Sequence, residues 1–109
     1  MAESAKLLSL LGLCRRAGRL SCGHDAALGS IRSGGACLCF LSSDASARLK
    51  SETERELEMA KADIPLFVLS STMDEIGYAT GLRSAVLTVN DSGFAQSMMS
   101  NLVRQEEIE

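Results

Sequence analysis

Three short apolar runs, separated by segments with helical periodicity, limit most strongly what this chain can fold into. The runs at residues 37–41, 66–69 and 85–89 are typical of buried strands, and a shorter strand is expected at 19–22. Strands that alternate with helices need crossover connections, so helices should cover both faces of one sheet. The sequence therefore predicts an α/β fold, a three-layer α/β/α sandwich with a mixed sheet of about four strands.

The helical segments between these strands carry start and stop signals. The first two are predicted at about residues 4–17 and 23–33, and each is followed by a glycine. The third helix is charged, with Leu49, Thr53, Leu57 and Ala60 facing inward. The fourth is short, is capped by Thr72 and Glu75, and ends near Gly77 or Gly81. The last is capped by Asp91 or Ser92, with Phe94, Met98 and Leu102 facing inward. We predict one domain over residues 1–109, with a frayed polar tail at 105–109.

The net charge of −3 conceals an uneven distribution along the chain. Residues 1–50 carry seven Lys/Arg and three Asp/Glu, a net charge of about +4, whereas residues 51–109 carry four and eleven, about −7. A basic half in an acidic protein fits contact with a polyanion through one face. A solvated surface with chance asymmetry explains the same numbers, so both interpretations stay open here.

The N-terminal apolar segment determines the expected compartment. No apolar run approaches the ~20 residues that span a membrane. The run from Leu7 to Cys14 has some signal-peptide character, but two arginines follow it, and Leu13 stands where a small residue is required before the cysteine. We therefore expect a cytoplasmic protein with reduced cysteines and no membrane partner.

Cysteine and histidine are the first candidates for chemistry. A metal or redox site would require Cys22, His24, Cys37 and Cys39 to converge. Structural zinc sites usually separate their paired cysteines by two to four residues at a turn, whereas Cys37 and Cys39 lie in a strand pattern where small buried thiols pack. We predict no metal and no cofactor.

Signals for catalysis are equally weak. His24 is the only histidine, and nothing in the sequence supplies a third group to orient it beside a cysteine nucleophile. The glutamates at positions 52, 54, 56 and 58 alternate with basic residues at the spacing of helical salt bridges, as in Arg48 and Glu52. No phosphate-binding loop is present. The chain is therefore predicted to be a non-enzymatic protein.

The segment at residues 10–25 is the most distinctive in the chain. Its cations, which precede Gly23, are Arg15, Arg16 and Arg19. A helix that starts at Gly23 would present unpaired N–H groups and a partial positive charge, so cations beside it form a phosphate site. The plainer interpretation is a helix end with arginines placed favourably on its dipole.

A longer pattern connects this segment with the rest of the chain. Its parts are Leu10-Leu-Gly-Leu-x-Arg-Arg-Ala-Gly-Arg-Leu20, Gly23, Ile31-Arg-Ser-Gly34, Leu41-Ser-Ser-Asp-Ala-Ser46, Ile64-Pro65, Ile76-Gly77-x-x-x-Gly81 and Val89-Asn-Asp-x-Gly-Phe-Ala95. This pattern covers about residues 6–103 in order and resembles the ribosomal protein L-seven-Ae family, most closely its small bacterial ribosome-associated members.

The resemblance implies the same α/β/α sandwich and the binding of kink-turn RNA, which is recognised by shape, phosphates and exposed base edges. In that family the N-terminus of the second helix and the loop before the last strand contact the RNA. The expected partner is structured, ribosomal RNA in a ribonucleoprotein, with ribosomal or other proteins as further partners. The implied RNA-binding residues are Arg16, Arg19, Gly23, His24, Asp25, Arg32, Ile76, Gly77, Gly81 and Arg83.

The chain departs from the family signature Gly-x-Asn-Glu-x-x-Lys, which falls on residues 23–29. Asp25 replaces the asparagine, Ala26 the glutamate and Gly29 the lysine. An aspartate offers only hydrogen-bond acceptors, and loss of the lysine removes a phosphate contact. A protein–protein module on the same fold, without kink-turn recognition, is therefore the alternative function.

Overall fold

The computed structural model describes residues 5–60 and 63–108, with side chains as far as Leu102. Its elements, in chain order, are α1 (Ala5–Arg16), β1 (Leu20–Cys22), α2 (His24–Ser33), β2 (Leu38–Leu41), α3 (Ala47–Ala60), β3 (Leu66–Val68), α4 (Met73–Thr80), β4 (Val86–Val89) and α5 (Ser92–Ile108). The predicted order of helices and strands is confirmed. The predicted frayed tail at residues 105–109 stays a prediction, because Glu109 and the side chains beyond Leu102 lie outside the described part of the chain. No helix among the described residues has both the length and the apolar character needed to cross a membrane.

Within the described residues, four strands form one mixed sheet in the order β1-β4-β2-β3. Strand β4 is antiparallel to β1 and β2, whereas β2 and β3 are parallel. Leu20 pairs with Val89 and Cys22 with Leu87, so β1 ends beside the start of β4. Because α2 follows β1 directly, the start of α2 and the chain leading into β4 lie at the same edge of the sheet.

The central strands direct alternate side chains to opposite faces, which produces two cores. Leu38 and Phe40 of β2 pack with α1, α4 and α5, whereas Cys39 and Leu41 pack with α2 and α3. Burying a leucine or phenylalanine side chain of this kind stabilises the fold by roughly 1.5–3 kcal/mol. Helices on both faces of the sheet complete the predicted three-layer sandwich.

Hydrogen bonds identify the caps of the last two helices. At the start of α4, the Thr72 hydroxyl accepts the N–H of Glu75, and the Glu75 carboxylate accepts the N–H of Thr72. This is the capping box predicted from the sequence. At the start of α5, the Asp91 carboxylate accepts the N–H of Phe94 at 2.9 Å, so Asp91 rather than Ser92 is the cap.

Candidate nucleic-acid interface

Gly23 determines the turn from β1 into α2. Its N–H donates to the Val86 carbonyl at 2.9 Å, and its backbone has φ 94° and ψ 167°. This region of conformational space is essentially restricted to glycine. Gly23 is the N-cap residue of α2, and it has no side chain that could accept a hydrogen bond from the N–H groups of the first turn. The turn therefore leaves a helix start open to an external anion.

The connection between α4 and β4, residues 81–85, lies beside this helix start. Val86, which follows the connection directly, accepts the hydrogen bond from Gly23, and the carbonyl of Ala85 accepts the N–H of Ser42 at 2.9 Å. The end of β1, the end of β2 and the start of β4 therefore meet at one edge of the sheet. We call the start of α2 together with residues 81–85 the α2 edge.

The structure corrects the predicted position of two residues. Ile76 and Gly77 lie within α4, not in the loop before the last strand. Helix α4 ends at Thr80, and Gly81, which follows it as the C-cap, has a φ of 85°. Ile76 is fully buried, so its side chain is closed to a ligand. A Cβ on Gly77 would lie 3.3 Å from the Cα of Arg83, so Gly77 allows the connection to lie directly on α4.

Three of the predicted arginines lie away from the α2 edge. Arg19 precedes β1, at the opposite end of that strand from Gly23 and about 13 Å from it. Arg32 is in the last turn of α2, about 12 Å from the helix start, where it donates two hydrogen bonds to Glu56. Arg16 lines a cleft between α1 and α4. Direct contact of these three with RNA stays a prediction.

Arg15, which the predicted set omits, is the arginine of α1 that reaches the α2 edge. Its Nη1 donates to the Thr80 carbonyl at 3.2 Å and lies 3.5 Å from the position that a Cβ on Gly81 would take. Burial raises the pKa of the Cys22 thiol, and the positive charge of Arg15 opposes this rise. The sequence marks Arg15 as basic, but nothing in it distinguishes Arg15 from Arg16.

His24 connects the start of α2 with α3. Its Nε2 lies 2.9 Å from a carboxylate oxygen of Glu52, and its Nδ1 lies 3.1 Å from one of Asp25. Both contacts raise the pKa of His24, and the contact with Glu52 has the larger effect. The contact between His24 and Glu52 also lowers the pKa of Glu52. A protonated His24 would place a cation at the α2 edge, already balanced by two carboxylates.

We expect the His24 contact to depend on pH. Because its pKa is raised above 6.5, the contact stabilises the fold fully below 6.5, and this stability is lost as the pH rises through the folded pKa. Because the pKa of Glu52 is lowered from 4.5, ionised Glu52 stabilises the fold fully above pH 4.5. This stability is lost as the pH falls through the folded pKa of Glu52. An NMR titration of the single histidine should give a pKa above 6.5, which Glu52→Gln lowers. Glu58→Gln, an exposed change on the same helix, should leave it unchanged; an equal effect of both variants would contradict the assignment.

Acidic groups reduce the positive charge of the α2 edge. Arg83, in the connection, forms an ion pair with Asp74, with Nε and Oδ1 2.5 Å apart. The contact with Asp74 is the main cause of a raised pKa of Arg83, and the charge of Asp44 adds a smaller effect in the same direction. With Asp25 fully exposed beside His24, the α2 edge is a mixed rather than a strongly basic surface.

The cysteines and His24 do not converge on a metal site. Cys39 faces α2 and α3, whereas Cys22 and Cys37 pack against the opposite core. Among the residues that the structure describes, no three His, Cys, Asp or Glu side chains are grouped to hold a metal ion. Burial raises the pKa of Cys14 to about 11 and that of Cys39 to about 12, so both are protonated thiols at neutral pH.

Comparison with known proteins identifies the family. No protein-family model matches the sequence. The RNA-binding protein YlxQ of Enterococcus faecium is 32% identical over 91 residues, which cover 84% of this chain and 85% of that protein. This chain belongs to the YlxQ family. YlxQ is a bacterial protein of the L-seven-Ae family, to which the sequence motifs pointed.

Solved structures extend the similarity of this YlxQ-family chain to three dimensions. A Bacillus halodurans protein of unknown function is 31% identical and superimposes with a TM-score of 0.78, over 90% of this chain and 97% of its own. The Giardia lamblia 15.5kD RNA-binding protein has a TM-score of 0.71 over 99% and 94% of the two chains. At 15% identity, the Giardia protein shares the fold with this YlxQ-family chain.

Proposed function

We propose that this YlxQ-family protein binds structured RNA of the kink-turn type at the α2 edge, without catalysing a reaction. The observation that carries the proposal is the uncapped start of α2, which the glycine-specific turn at Gly23 leaves open beside Arg15. N–H groups and the helix dipole attract a phosphate at such a position. The RNA-binding relative supports the same function. Ribosomal RNA is the proposed natural partner, and the cytoplasm the proposed compartment.

The proposed contact surface contains two groups of residues. The start of α2 provides backbone N–H groups for phosphate and an exposed histidine for a base edge or sugar. The connection provides Arg83 and backbone that approaches RNA closely, and Arg15 of α1 lies beside it. The proposed contact residues are Arg15, Gly23, His24, Asp25, Gly81 and Arg83.

Fluorescence anisotropy with a labelled kink-turn RNA tests the proposal. We expect micromolar or tighter binding that weakens steeply with salt, because released counterions drive contacts to phosphates. Arg15→Gln should weaken binding and reduce the slope of log affinity against log salt by about 0.7–0.9, the contribution of one phosphate contact. Arg15→Lys, which keeps the charge, should retain most of the slope.

Arg32→Gln is the matched control for Arg15→Gln, because it removes the same charge at the other end of α2. We expect it to change RNA affinity less than twofold, although Arg32 belongs to the set predicted from the sequence. A folded wild-type protein that does not bind the RNA at low salt would overturn the proposed function. An equal loss in both arginine variants would contradict the α2 edge as the contact surface.

A protein-binding module on the same fold is the second candidate function. The observation that favours it is the pairing of cations at the α2 edge, where Arg83 contacts Asp74 and His24 contacts Glu52. Paired charges of both signs suit the rim of a protein interface better than a polyanion. Absence of RNA binding at low salt, with specific capture of a ribosomal protein through the α2 edge, would favour this candidate.

A further inference from the structure

A cleft of about 580 Å³ lies between α1 and α4, outside the α2 edge. The two helices approach closely at its base, where a Cβ on Gly12 would lie only 2.5 Å from the carbonyl oxygen of Ala79. Leu8 and Leu13 of α1 form one wall, and Leu13 is half-exposed. The volume falls within the range of small-ligand sites in proteins.

Tyr78 is the most unusual residue in this cleft. It is 92% exposed, so its ring contributes almost nothing to the core of the protein. Exposed aromatic rings are the surfaces on which RNA-binding proteins stack unpaired bases, and this stacking tolerates any base. The exposed ring therefore points to a planar ligand.

The charges that line the cleft suit a phosphate. The Arg16 guanidinium lines the same cleft and makes no hydrogen bond or ion pair with any residue that the structure describes. The single acid in the lining, Glu75, is held in the capping box by the N–H of Thr72. A free guanidinium beside an exposed ring complements the phosphate and the base of one nucleotide.

The cleft adjoins the proposed RNA surface. Arg15 precedes Arg16 on α1, and its guanidinium donates a hydrogen bond to the Thr80 carbonyl at the end of α4. Two consecutive residues of α1 therefore reach the two surfaces, Arg15 the α2 edge and Arg16 the cleft.

We propose that the α1–α4 cleft binds an unpaired nucleotide of the RNA held at the α2 edge, with its base stacked on Tyr78 and its phosphate on Arg16. This inference rests on the proposed function and adds a second contact region to it. The cleft would provide affinity for unpaired nucleotides of any sequence, because every base has a face that can stack.

The composition of the chain allows a direct test. Tyr78 is the only tyrosine, and the protein has no tryptophan, so intrinsic tyrosine fluorescence reports on this ring alone. In a titration with unlabelled kink-turn RNA, stacking should quench the tyrosine emission by more than half at saturation. A parallel titration of free N-acetyltyrosinamide corrects the emission for light absorbed by the RNA. Anisotropy of labelled RNA measures binding independently in the same buffer.

Variants at position 78 test the role of the ring in affinity. Tyr78→Ala should weaken RNA binding by roughly 5- to 150-fold, the usual effect of losing one base–aromatic stack. Tyr78→Phe keeps the ring and should bind within twofold of wild type, whereas Tyr78→Leu, which keeps apolar bulk only, should resemble Tyr78→Ala. Arg16→Gln should also weaken binding. Thermal unfolding should be nearly unchanged in all four, since both side chains are exposed.

The outcomes separate this proposal from the proposed function. If the RNA binds without a change in tyrosine emission, and Tyr78→Ala binds it with unchanged affinity, the proposal that the cleft binds a nucleotide would be overturned. The α2 edge would then remain as the proposed RNA surface. Quenching together with loss of affinity in Tyr78→Ala and Tyr78→Leu would support both. Absence of binding by wild type in the anisotropy experiment would overturn both.

Discussion

Gly23→Ala is expected to lower the free energy of unfolding by about 1–3 kcal/mol and to weaken RNA binding at the same time. The backbone of Gly23 has a φ of 94°, and a Cβ added there would meet no atom within 4 Å. The cost therefore comes from the backbone conformation and not from crowding. If the alanine relaxes to a negative φ, the hydrogen bond from this N–H to Val86 is lost and the start of α2 moves.

Gly29→Ala is the matched control, because it makes the same change within α2. A Cβ at Gly29 also meets no atom within 4 Å, but its backbone does not have a positive φ. Chemical denaturation should therefore show Gly29→Ala to be as stable as wild type or more stable, by up to about 1 kcal/mol. If Gly23→Ala unfolded at the same denaturant concentration as Gly29→Ala, strain at Gly23 would not be the reason for a glycine there.

Gly12→Ala should destabilise the protein by a comparable amount for a different reason. A Cβ on this buried residue would lie 2.5 Å from the carbonyl oxygen of Ala79, closer than such contacts occur in proteins. Because the neighbouring atom belongs to the backbone of α4, α1 and α4 must separate. Overpacking of this kind typically costs about 1–3 kcal/mol. The midpoint of thermal unfolding measures the loss.

Ser9→Ala is the appropriate control for Gly12→Ala, since Ser9 is an exposed residue of the same helix. Alanine is the better helix former at both positions, so helix propensity alone would stabilise both variants. Only close approach of the two helices predicts a large loss in Gly12→Ala. A Gly12→Ala protein at least as stable as Ser9→Ala would show that α1 and α4 do not meet at this point.

The separation of the arginines shows where prediction from the sequence ends. Arg19 and Gly23 are four residues apart, and both belong to the segment that resembles an RNA-binding motif. The three residues between them form an extended strand, which carries Arg19 to the opposite end of the sheet. Arg15 lies further from Gly23 in sequence, yet its side chain reaches Thr80, 65 residues away, at the α2 edge.

The role of Gly77 also lies beyond what the sequence predicts. Gly77 in the sequence is one of two possible ends of a helix, and the structure shows it inside α4 with the backbone of Arg83 packed over it. The requirement for glycine at this position arises from the return of the chain after Gly81, not from the helix itself. No local pattern reports such a contact.

Local signals were sufficient for the architecture of this protein. The apolar runs, the capping box at Thr72 and the glycine turn at Gly23 depend on residues within one or two turns of chain, and each predicts its own element. The composition of the functional surface depends on tertiary structure, because strand direction and helix packing determine which distant residues meet. The sheet order brings Gly23 beside the connection at residues 81–85, and the packing of α1 on α4 directs Arg15 to that edge and Arg16 to the cleft with Tyr78.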